Sequence, residues 1–119
     1  MLKILLFAAG GYGLLVAGVY GVPIQYQDVD WPWSQHGQFL DDEAADTLEP
    51  PDLDANPFWD RFMAQLDAIE KLVGRIEGFM NWQGVVNSSY RLRGEELFTD
   101  MIIEPERVKR IFDCVTETM

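Results

Sequence analysis

The chain has 119 residues, room for one small domain. Hydrophobic residues make up 48% and charged ones 24%, an ordinary globular balance that argues against wholesale disorder. Acids outnumber bases 20 to 9 for a net charge of −11, the wrong sign for displacing counterions from nucleic acid, and the single cysteine, Cys114, excludes an internal disulfide framework.

From Ile4 to Gln27 there is no charged residue, and only Lys3 precedes the run. Three readings fit it. A basic start, an apolar middle and small residues such as Ala17, Gly18 and Gly21 have the shape of a secretory signal. The run is also about long enough to cross a bilayer, which takes ~20 residues. The third reading is a buried strand over Lys3–Ala9, a glycine turn at Gly10-Gly11, and a helix over Tyr12–Tyr20. On composition alone, export and burial stand level. Gly10-Gly11 do not make a phosphate loop, because neither Gly-x-Gly-x-x-Gly nor Gly-Lys-Ser/Thr is present.

Residues 24–56 carry nine acids and no lysine or arginine. Unpaired acids repel one another and favour an extended, solvated path. Trp31 and Trp33 work against disorder, since large rings gain most by burial. The expectation is a long ordered excursion over 28–56, pinned by Trp31, Trp33 and Phe39. Asp41, Asp42, Glu43 and Asp46 read as a solvated acidic face, since they lack the spacing and turn glycine of a calcium loop. His36 reads as a surface histidine.

The second half is more regular. Asn56-Pro57 is a helix start, with asparagine as N-cap and proline at the first helical position. Phe58, Phe62, Leu66, Ile69 and Val73 follow at helical spacing, and Gly74 is placed to stop the helix. Gly78–Gln83 reads as a short buried strand. Asn87-Ser88-Ser89 supply capping residues for a brief helix through Leu92, broken at Arg93-Gly94. Glu95–Ile103 reads as another helix, with acids in its first turn to match the dipole. Glu104-Pro105 opens the last one, on which Val108, Ile111, Phe112 and Val115 share a face with Cys114 alongside. The pattern as a whole is α/β, with about two parallel strands, several helices and open sheet edges, like a piece of something larger.

Catalytic signatures are missing: there is no His-Glu-x-x-His, no Cys-x-x-Cys and no Gly-x-Ser-x-Gly. One run is more informative. Gln83-Gly84-Val85-Val86-Asn87-Ser88-Ser89-Tyr90-Arg91-Leu92-Arg93-Gly94-Glu95-Glu96-Leu97-Phe98-Thr99-Asp100, followed by Glu104-Pro105-Glu106-Arg107-Val108, resembles the uroporphyrinogen decarboxylase superfamily. That family shows a Gly-Pro-like turn, a helix ending in Leu-Arg-Gly, a Glu-rich helix and an acidic-Pro-Glu start to the next. Leu5–Tyr12, Val19–Pro23 and Asp28–Trp33 are also similar to it, most of all to the branch grouped with corrinoid-dependent methyltransferases.

The resemblance implies part of a (β/α)8 barrel and a parent activity on a tetrapyrrole, either decarboxylation or corrinoid-dependent methyl transfer, with this chain inactive alone. It implies a cytoplasmic protein that spans no membrane and binds no nucleic acid. A homo-oligomer or a missing barrel half would cover the open edges. No cofactor is expected on this chain: the His and Cys zinc ligands of the methyltransferases have no counterpart here. Nor does any acid stand at Ala8–Tyr12, where the decarboxylases carry an aspartate, and Val85 stands where that family has proline. No catalytic residue is carried over. The implied substrate rim gathers Gly10, Gly11 and Tyr12 beside Gly84, Asn87, Tyr90 and Arg91. Arg93 is expected to cap its helix or pair with Glu95 or Glu96. Two other classes are compatible with the sequence: a non-catalytic binding or assembly module, and an exported acidic protein.

Overall fold

The computed structural model describes residues 14–25, 33–34, 39–75 and 84–119. Six helices dominate them: α1 (Leu14–Val19), α2 (Asp42–Asp46), α3 (Pro57–Val73), α4 (Val85–Arg93), α5 (Glu96–Ile103) and α6 (Pro105–Thr118). Two strands of two residues each, β1 (Ile24–Gln25) and β2 (Trp33–Ser34), pair antiparallel with Ile24 opposite Ser34. This mostly helical arrangement overturns the partial α/β barrel expected from the sequence. The strands proposed over Lys3–Ala9 and Gly78–Gln83 lie outside the described residues. Where the chain is described, helical spacing and caps organise it and its two short strands pair antiparallel, so no parallel sheet forms among the described residues. α1 falls inside the helix expected over Tyr12–Tyr20, and all six of its residues are buried, as a continuous apolar run allows.

α1 ends by backbone chemistry. Gly21 adopts a φ of 91°, which a side chain would resist. Its N–H donates to the Gly18 carbonyl at 3.0 Å, and that of Val22 reaches the Ala17 carbonyl at 3.0 Å. This is the paired-bond C-terminal motif, and Val22 joins Ala17 in the core as that motif favours.

The acidic excursion is not the solvated arm its charge suggested. Leu40 and Ala45 enter the core. The N–H groups of Phe39 and Leu40 both donate to the Leu92 carbonyl, at 3.2 and 2.8 Å. Asp41 caps α2, accepting from the Ala44 N–H at 2.8 Å. Asp52 likewise caps a 3-10 turn over Leu53–Ala55. The Phe39 side chain is exposed, and Leu40 beside it is the residue that enters the core. Trp31 and His36 lie outside the described residues.

α3 forms where its sequence predicts. The Asn56 side chain accepts from the Trp59 N–H at 3.0 Å, and its amide donates to the Val19 carbonyl at 2.7 Å, so the cap also ties α3 to α1. Gly74 closes the helix at a φ of 84°. Phe62 and Ile69 are buried, but Leu72 and Val73 are exposed because the last turn runs beyond the core. α4 begins three residues earlier than a cap at Asn87 would start it, with Gly84 as its N-cap. Asn87, Ser88 and Ser89 are therefore helical rather than capping, and both serine side chains are buried with unpartnered hydroxyls.

Two apolar clusters result. The larger joins Val16, Ala17 and Val22 to Leu40, Ala45, Leu92, Leu97, Val108, Ile111 and Val115. The smaller joins Leu15 to Phe62 and Ile69, with Phe58, Trp59 and Leu66 packed against it. α1 supplies both, through neighbouring residues that point to opposite sides.

Candidate functional site

α4 divides its residues between two faces. Ser88, Ser89, Leu92 and Arg93 are buried. Asn87, Tyr90 and Arg91 are spaced three and four residues apart and therefore share the other side, next to Gly84 at the helix start. These are the four rim residues expected on this segment; Gly10, Gly11 and Tyr12, which the rim would set beside them, lie outside the described residues.

Tyr90 is exposed, and its ring meets that of Phe98 at a centroid distance of 5.7 Å. Arg91 is half-buried and donates to the Ser34 hydroxyl at 2.8 Å, tying α4 to β2. Burial pushes the proton affinity of its guanidinium down. Gly84 has nothing within 4 Å of where a side chain would begin, so its surface is open.

Arg93 has a different role. It is 1% exposed and does not pair with Glu95 or Glu96. Its Nε donates to Asp100 Oδ2 at 2.6 Å, one Nη to the Leu40 carbonyl at 2.9 Å, and the other to Asp42 Oδ1 at 2.6 Å. Arg107 completes the cluster, reaching Asp100 Oδ1 at 3.1 Å and gripping Asp46 through two bonds of 2.7 and 3.0 Å. Burial alone would raise the Asp100 carboxyl, but the hydrogen bonds and charges of Arg93 and Arg107 outweigh it and hold the group below its ordinary value. Arg107 does the same for Asp46. The Asp100 hydrogen bond in turn raises Arg93. Two arginines face three carboxylates, of which only Asp100 is buried, and both Asp100 oxygens accept hydrogen bonds, which is what a buried carboxylate needs to persist.

Sequence reasoning did not find this cluster. One local signal existed: Asp100 follows Leu97 by three residues on a short apolar helix, placing a carboxylate on the buried stripe. The partners Asp42 and Asp46 carry no such mark, because they sit more than 50 residues away.

A groove of about 330 Å³ runs between the end of α1 and the start of α3, lined by Val19, Val22, Pro23, Asn56, Phe58 and Arg61. It stands at the small end of the range for ligand pockets. Among the described residues, no group of three His, Cys, Asp or Glu side chains is arranged to hold a metal ion, and no helix is long and apolar enough to cross a membrane. Cys114 is buried on α6, its thiol directed at the Leu48 carbonyl 3.4 Å away. No protein-family model, curated protein or solved structure matches the chain.

Proposed function

We propose that this chain is a tetrapyrrole-handling module akin to the uroporphyrinogen decarboxylases in residues 83–108, and that it holds substrate carboxylates without completing a reaction by itself. One observation supports the reading: the sorting of that segment into two faces. Leu92, Arg93, Asp100 and Arg107 serve the interior, while Asn87, Tyr90 and Arg91 stand together on the outer side of α4. The outer group has the chemistry a poly-carboxylate needs. A guanidinium binds carboxylate through charge-assisted hydrogen bonds, and an amide and a phenol add neutral donors.

The net charge of −11 opposes a polyanionic ligand at long range. At physiological salt that repulsion is screened beyond about 8 Å, so the local contacts decide. The test is titration of the chain with uroporphyrin I at that salt, read by porphyrin fluorescence. Saturable binding is expected, weakened about tenfold or more by Arg91→Ala, the loss of a charge-assisted bond. Absence of binding, or equal binding by the Arg91→Ala variant, overturns the proposal.

A further inference from the structure

We infer that the outer face of α5, continued onto α4, docks a cationic amphipathic helix of a partner protein. The face is apolar and open. Phe98 is 50% exposed, Ile102 84% and Ile103 64%, and Met101 is exposed beside them. Phe98 and Ile102 lie one helical turn apart. The Tyr90 ring against Phe98 carries the stripe across to α4, where Val86, one turn before Tyr90, extends it. Two helices thus present one contiguous apolar surface, the kind that marks an interaction site rather than scattered surface residues.

Charge selects the occupant. Glu95 and Glu96 stand at one end of α5, Glu104 and Glu106 at the other, and all four are exposed. Between Glu95 and Glu106 there is no lysine or arginine, and the one remaining acid, Asp100, is buried in its ion cluster. An apolar stripe with carboxylates at both ends complements a helix whose apolar face is flanked by lysines or arginines. A second copy of the chain is a poorer fit, because it would bring like acids together on two molecules that each carry −11.

This inference shares Tyr90 with the tetrapyrrole reading but rests on Phe98 and Ile102 of α5, and it is tested without a porphyrin. The probe is a synthetic fluorescent Leu/Lys amphipathic helix of about four turns, titrated with the whole chain and followed by anisotropy. Saturable binding is expected that weakens as salt rises, with a Leu/Glu helix of the same pattern failing to bind. The double variant Phe98→Ser/Ile102→Ser is expected to bind about tenfold more weakly or worse. Its circular dichroism should be unchanged and its melting midpoint only slightly lowered, since Ile102 is exposed and Phe98 gives up a single half-exposed ring contact with Tyr90. The Arg91→Ala variant should bind the helix normally. Failure of the Leu/Lys helix to bind, or undiminished binding by the double variant, overturns the proposal. So does light scattering that finds a dimer broken by the same two substitutions, which would assign the face to a second copy.

Discussion

The most consequential side chain in the molecule is Arg93. Its guanidinium gathers a carboxylate from α5, a carboxylate from α2 and the Leu40 carbonyl. Taking it away leaves Asp100 buried with only Arg107 to neutralise it. Arg93→Met is therefore expected to destabilise the fold by about 3 kcal/mol, in the range for breaking a buried pair. Replacing both partners, Arg93→Met with Asp100→Leu, is expected to cost less than the two single changes added together, because neither then strands a charge. Urea unfolding of the four proteins checks this, and strict additivity would show that the pair is not coupled. None of this could be foreseen from residues 24–56, whose acids look like a self-repelling run until two arginines from the other half of the chain are placed among them.

At the scale of elements, the close approach of α1 and α3 turns on a missing side chain. A Cβ at Gly18 would overlap the Phe58 ring. Gly18→Ala is expected to destabilise by about 1–3 kcal/mol, the range for overpacking, since the Phe58 ring must shift to admit the methyl group. Phe58→Leu in the same chain should recover part of the loss, as read from thermal midpoints. Elements with local punctuation were legible in advance: Asn56-Pro57 and Gly74 bracket α3, and Glu104-Pro105 opens α6 with Val108, Ile111 and Val115 on its buried face. Elements defined by distant partners were not. Ser88 and Ser89 look like capping residues to a local reading, yet they lie on the buried side of α4. In the apolar N-terminal run the helix expected over Tyr12–Tyr20 is present as α1, but the expected parallel sheet rests on two short apolar stretches with no period to mark them as strands, and the described part of the chain is helical. Of the candidate site, Asn87, Tyr90 and Arg91 group in the sequence as the segment after an expected strand, whereas the structure sets them along one side of α4, an arrangement that depends on the helix starting at Val85.

Across the whole molecule, two kinds of titrating group set the pH limits of stability. Asp100 and Asp46 have folded values below their ordinary ones. Their contribution is complete above the unfolded carboxyl value of about 4 and is lost as pH falls through the folded values. Tyr20 behaves oppositely. Burial pushes its phenol up to about 12, against the smaller opposing effect of its hydrogen bond with Thr118. The unfolded phenol ionises near 10, so stability is intact below that and is lost between about 10 and 12. The urea midpoint is expected to hold level across neutral pH and to fall at both ends. Tyr20→Phe should flatten the alkaline limb while leaving the acid limb as it was; an unchanged alkaline limb would place its cause elsewhere.

The position of α1 between the two apolar clusters has a consequence for how the molecule comes apart. Among the described elements, α3 makes its principal contacts with α1 and with the 3-10 turn that precedes it. The smaller cluster therefore communicates with the larger through a single six-residue helix. While that helix is in place, loss of one cluster strips the other of part of its lining, and unfolding is cooperative across both. A change confined to the Gly18–Phe58 contact loosens that bond between the halves without touching the Arg93 cluster. In such a variant the calorimetric and van't Hoff enthalpies should diverge, with the α3 side melting ahead of the rest.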